Sequence, residues 1–114
     1  IGATVEVFGP QCVTVDPSGR FAFVVNGINT VSVFAIDATT GALTSVGAAV
    51  AAGTHPFSIT VNRSGKFAYV ANYTSGNVSS YTINATTGAL TSIGSTTATT
   101  TTNPASITTT GILP

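Results

Sequence analysis

The feature that most constrains this chain is an internal repeat. Residues 10–47 read PQCVTVDPSGRFAFVVNGINTVSVFAIDATTGALTSVG, and residues 56–94 read PFSITVNRSGKFAYVANYTSGNVSSYTINATTGALTSIG. The offset is 46 at Pro10/Pro56, Gly19/Gly65 and Asn26/Asn72. It becomes 47 at Val31/Val78 and Gly41/Gly88, through one extra residue in the loop after Asn72. A third copy begins at Pro104 and stops, and Ile1 and Gly2 align with Val46 and Gly47. Such self-similarity makes one repeat packed on the next the unit of folding. The organisation expected is a tail strand of a preceding unit in 1–9, one unit in 10–55, a second in 56–103, and the start of a degenerate third in 104–114.

Each unit reads as four short strands. The first, 57–61, alternates and runs into Asn62-Arg63-Ser64-Gly65. That tetrapeptide is a turn, because an Asx side chain accepts a backbone N–H and glycine takes the positive-φ position. Asp16-Pro17-Ser18-Gly19 is the same turn in the first unit. The second strand is 66–72, matched by 20–26; Phe67, Tyr69 and Ala71 share one face, Ala68 and Val70 the other. Both faces are apolar, so this strand lies between layers. The third strand is expected over 78–83 and 31–36, the fourth over 89–93 and 42–46. Asn84 to Gly88 and Asp37 to Gly41 join them, again with Asx early and Gly late. Asn26 and Asn72 end the second strand and read as side chains that staple a loop. No sustained 3.6-residue period occurs and β-branched residues dominate, so no helix longer than one turn is expected. The fold class is all-β: antiparallel four-stranded blades of propeller type, two complete and one partial at each end.

SGKFAYVAN with the preceding HPFSITVN, and its partner SGRFAFVVN, resemble the YVTN-type β-propeller repeat. That repeat is shared by bacterial and archaeal surface proteins and by lactonase-type propellers similar to 6-phosphogluconolactonase. The resemblance covers about residues 10–94. It implies a ring of about seven blades in such proteins, and, for the lactonases, Arg, His and Glu converging at a central channel.

Composition narrows the partners. Lys and Arg number 3, Asp and Glu 3, and the net charge is zero. There is thus no basic footprint for nucleic acid and no polybasic patch for lipid. Charged residues make up 5 % of the chain, against roughly 25 % in ordinary domains. No apolar run reaches the ~20 residues of a membrane helix. Cys12 is the one cysteine, so no internal disulfide forms; it reads as a small buried thiol, or else as an intermolecular disulfide or a reactive thiol.

His55, the single histidine, is the candidate catalytic residue. It precedes Pro56 at a blade entrance, where Gly9 and Asn103 hold the equivalent positions. In a propeller this loop lies near the channel, although a loop histidine without a catalytic role fits the same place. A general base needs a positioned partner. Asp16 and Asp37 are already explained by their turns, and Glu6 reads as solvent-facing. Arg20, Arg63 and Lys66 flank turns. No metal cluster, phosphate loop or nucleophile elbow is present, and no cofactor is expected. The sequons at Asn62, Asn72, Asn77 and Asn84 are glycan acceptors only if the source glycosylates exported proteins. The structural turn residues are Asp16, Gly19, Asp37, Gly41, Asn62, Gly65, Asn84 and Gly88.

The main expectation is a non-catalytic, extracellular or cell-surface module. Two units and two remnants are too few to close a ring, and an uncharged, threonine-rich surface permits close packing. Blade faces and terminal strand edges would then join copies into a ring or a filament. The degenerate third unit would be a cap or a strand pairing with another chain. The alternative is a piece of a lactonase-type propeller hydrolase acting on sugar lactones. A run such as Thr99 to Thr102 offers a weaker third idea, recognition of an ordered surface.

Overall fold

Doubly apolar strands separated by Asx–Gly turns pair with their sequence neighbours, and the result is an antiparallel meander. The computed structural model describes residues 9–97. It holds two such meanders. Strands β1 (Pro10–Val15), β2 (Phe21–Asn26), β3 (Thr30–Ile36) and β4 (Leu43–Ser45) form the first sheet in that order. A two-residue strand, β5 (Val50–Ala51), also pairs with β3. Strands β6 (Pro56–Val61), β7 (Phe67–Asn72), β8 (Asn77–Ile83) and β9 (Leu90–Thr97) form the second sheet, again in order. All pairings are antiparallel. Among the described residues there is no helix, and none long and apolar enough to cross a membrane. The chain is all-β, built of four-stranded propeller-type blades.

The outer strands depart from the sequence expectation. In the first sheet the strand expected over 42–46 is shortened to β4, and the separate β5 follows it at Val50–Ala51. Between the pairs Phe34↔Ser45 and Val31↔Val50 the outer chain spends five residues against three on β3. The excess loops out at Gly47, whose φ is 65°. In the second sheet a single irregularity, between Ser80 and Tyr81, absorbs the mismatch. The strand therefore continues through Ser95 and Thr96 to Thr97, beyond the expected end at residue 93. Ser and Thr there give no apolar alternation, but threonine sits well in a strand.

The core lies between the sheets. Phe21, Phe23, Val25, Val31 and Val33 of the first sheet meet Ile59, Ala68, Val70, Tyr81, Ile83 and Leu90 of the second. Ala22, Val24 and Phe34 form a smaller buried group on the other face of the first sheet. Every residue of β2 is buried, which is why its sequence is apolar on both faces. The inner strands β1 and β6 pack side by side. Cys12, a free thiol, is half-buried against the main core.

Candidate functional site

The meander sends its loops to two opposite ends. One end carries the turns after β1, β3, β6 and β8. There the Asx side chains work as local caps. Asp16 Oδ1 accepts the Arg20 and Phe21 amides at 2.9 and 3.0 Å, and its Oδ2 accepts the Ser18 hydroxyl at 2.6 Å. Asn62 Oδ1 accepts the Lys66 and Phe67 amides, both at 3.2 Å. Asp37 Oδ1 takes the Thr39 and Thr40 amides at 2.8 and 2.9 Å, and Asn84 takes those of Thr86 and Thr87 at the same distances. Burial pushes the Asp16 pKa up, but the bonds from Ser18, Phe21 and Arg20 outweigh it, and the net shift is downward. The Thr40 and Thr39 amides lower that of the exposed Asp37. Arg20 donates to the Ala85 carbonyl at 2.8 Å and so ties the two sheets together at this end.

The other end carries the β2–β3, β5–β6 and β7–β8 loops, and His55 sits among them. Its N–H donates to Asn29 Oδ1 of the first sheet at 2.9 Å. Its carbonyl accepts the Tyr73 amide of the second at 2.8 Å. The β5–β6 loop is clasped further by Ala52 N–H to the Asn29 carbonyl at 2.9 Å and by Gly53 N–H to Asn72 Oδ1 at 3.0 Å. Asn72 is fully buried; its Nδ2 donates to Asn77 and Ser79, both at 2.9 Å. Asn26 does the same with Thr30 and Ser32. Asn72 thus holds the loop that carries His55, and Asn26 braces the β2–β3 hairpin that carries Asn29.

His55 is backbone-strained. Its φ is 53°, in the left-handed region that few side chains adopt, and it precedes a proline. The equivalent residue of the first unit is Gly9, at φ 58°. The hydrogen bond is equivalent too: the Gly27 amide donates to the Gly9 carbonyl at 2.7 Å, as Tyr73 does to His55. A glycine slot is therefore occupied by a histidine. Its imidazole meets Phe57 and Tyr73 edge to face, with centroids 5.6 and 5.5 Å apart. Thr74 Oγ1 lies 3.5 Å from Nδ1.

Sequence reasoning singled out His55 but missed Asn29, Phe57 and Tyr73. Asn29 is 26 residues away from its partner, with no motif linking them. The signal that was available is the repeat itself: the positions of Gly9, Gln11 and Gly27 in the first unit are those of His55, Phe57 and Tyr73 in the second. Of the charged residues, Asp16, Arg20, Asp37, Arg63 and Lys66 all belong to the opposite end, while Glu6 lies outside the described residues. So do Asn103, the run Thr99 to Thr102, residues 1–8 of the tail strand expected over 1–9, and the third unit from Pro104. Of the four sequon asparagines, Asn72 has no exposed side chain, and Asn84 is exposed. Among the described residues no group of three or more His, Cys, Asp or Glu lies close enough to hold a metal ion.

With this geometry in place, comparison identifies the class. The model of the family "Lactonase, 7-bladed beta-propeller" matches residues 3–107. The chain belongs to that family. Among solved structures it is similar to a protein of Bacteroides fragilis provisionally described as a 6-phosphogluconolactonase, with 26 % identity and a TM-score of 0.75 over 82 % of this chain. It is also similar to the periplasmic gluconolactonase of Pseudomonas aeruginosa, with 26 % identity and a TM-score of 0.71 over 75 % of this chain. A protein of Lactobacillus plantarum matches with 26 % identity and a TM-score of 0.73 over 83 % of this chain. The chain spans 26, 24 and 30 % of those three structures, respectively. Comparison with curated proteins gave no match. These findings overturn the expectation of a non-catalytic structural module. The family match and the lactonase relatives agree instead with the alternative, a lactonase-type propeller.

Proposed function

We propose that this chain contributes blades to a propeller hydrolase that opens sugar lactones, with His55 on the ligand-binding end. The observation that carries the reading is the exchange of a glycine for His55 in a left-handed slot, clasped between two blades by Asn29 and Tyr73. Strain of this kind persists where a side chain is needed in a fixed place. The relatives named as gluconolactonases supply the substrate class.

Imidazole is a common general base for water attack on an acyl carbon, worth roughly 10²–10⁴ in rate. In the reaction, His55 takes a proton from water as its oxygen bonds to the lactone carbonyl carbon. The ring C–O bond then breaks and the leaving oxygen takes a proton, giving a hydroxy acid. The test is acid release from D-glucono-1,5-lactone by the full-length polypeptide, measured against the spontaneous rate. Acceleration in proportion to protein concentration supports the reading, and a rate equal to the blank contradicts it.

A further inference from the structure

The imidazole does not stand alone. Phe57 and Tyr73 remain 38 and 37 % exposed although both are large rings next to a well-packed core. Their centroids are 6.0 Å apart with planes tilted by 45°, and each also touches His55. The blade fold does not require this cluster. The first unit makes the same backbone bond with Gly9, Gln11 and Gly27 at the three positions, and its β2–β3 loop is one residue shorter. An exposed aromatic group that the fold does without marks a binding surface.

The chemistry of the cluster selects its ligand. The rings touch one another, so no gap is left between them for an ammonium group of the kind an aromatic cage holds. The described acids, Asp16 and Asp37, are at the opposite end, so a cation finds no counter-charge here. The described cations, Arg20, Arg63 and Lys66, are there too, so an anion finds none either. What remains is an uncharged, partly apolar body. The C–H face of a pyranose ring fits: its hydrogens carry slight positive charge and meet the negative faces of aromatic rings. The hydroxyl of Thr74, 3.5 Å from His55 Nδ1, borders the cluster and offers a hydrogen bond at the ring's edge.

We propose that Phe57 and Tyr73 form a stacking platform for the neutral ring of a sugar, beside His55. This rests on the lactonase reading and deepens it, because it names the part of the ligand that these blades hold. A phosphate on the sugar would draw nothing from this platform.

The test uses the full-length polypeptide and D-glucono-1,5-lactam, a ring that resists opening. Titration is followed by NMR on the Tyr73 and Phe57 ring protons. Saturable shifts of both rings, and upfield shifts of the lactam C–H protons that lie over them, are expected. Phe57→Gln combined with Tyr73→Gly restores the first unit's residues, and should weaken binding about ten-fold while leaving the circular dichroism unchanged. In the lactone assay the same double variant should raise KM about ten-fold with kcat retained, equally for the 6-phosphorylated and plain lactones. Equal lactam affinity in the double variant, or a stronger response to choline than to the lactam, would overturn the platform. Lactam bound on the rings by a protein that does not accelerate lactone opening overturns the lactonase reading and leaves the platform standing. Lactone opening with KM unchanged in the double variant does the reverse.

Discussion

At the scale of single residues, the two units work as an internal substitution experiment. Asp16 and Asn62 close the same turn. The carboxylate takes its two amides at 2.9 and 3.0 Å, the carboxamide at 3.2 Å each. Bonds to a charged acceptor are shorter and stronger. The folded pKa of Asp16 lies below its ordinary value of 3.8, so its contribution to stability is fully present above that value. It is lost as pH falls through the depressed folded pKa. Asp16→Asn should keep the turn, as Asn62 does, and cost about 1 kcal/mol at neutral pH. Urea midpoints of variant and wild type should converge on acidification below about pH 4; a gap of constant size would contradict this account. These turns were legible in the sequence because cap and amide are at most five residues apart. The Asn29–His55 bond was not, because the fold alone brings those residues together. Asn26 Oδ1 shows the same limit. It is buried and has no hydrogen-bond partner among the described residues, whereas Asn72 Oδ1 takes the Gly53 amide. The position equivalent to Gly53 is residue 7, outside the described residues.

Elements differ between the units in what packs on them. The β3–β4 and β8–β9 turns share their sequence pattern, and both end on a glycine with positive φ, 77° at Gly41 and 81° at Gly88. Gly41 faces open space. A Cβ on Gly88 would come within 2.5 Å of Phe21 Cδ1, because this turn seats on the first sheet's core edge. Gly41→Ala should therefore cost about 1–2 kcal/mol for the backbone alone. Gly88→Ala adds overpacking of about 1–3 kcal/mol. Thermal melts of the two variants should rank in that order, and equal shifts would show that the Phe21 ring yields freely. The strand assignments from sequence succeeded where side chains on both faces were apolar, as in β2 and β7. At the outer strands they placed the strand but missed its ends. There, exposed Ser, Thr and Ala carry little burial signal, and the register depends on how each chain accommodates its extra residues.

Across the whole molecule, the core is an interface between two sheets that neither could form alone. Phe23 is fully buried at its centre, with Val70 and Tyr81 fully or almost fully buried on the facing blade. Phe23→Ala should cost about 3–5 kcal/mol. Because the core spans both blades, they should unfold together, as one urea transition seen equally by near- and far-ultraviolet circular dichroism. Two separated transitions would mean that the blades are independent. The repeat announced this architecture, and the family resemblance pointed to propellers. The preference for a structural module came from counting blades and from low charge, neither of which bears on what one loop does. The informative contrast lies between the units, where the same left-handed slot and backbone bond carry glycine in one copy and histidine in the other.

That comparison also supplies the most direct measurement. His55→Gly puts the first unit's residue into the left-handed slot and removes only the imidazole. If His55 is held there to act on a lactone, the variant should melt at or above the wild-type temperature. Its kcat/KM for D-glucono-1,5-lactone should at the same time fall by about 100-fold or more. A variant that melts at or above the wild-type temperature and opens the lactone at the wild-type rate would show that the histidine is a loop residue and no more.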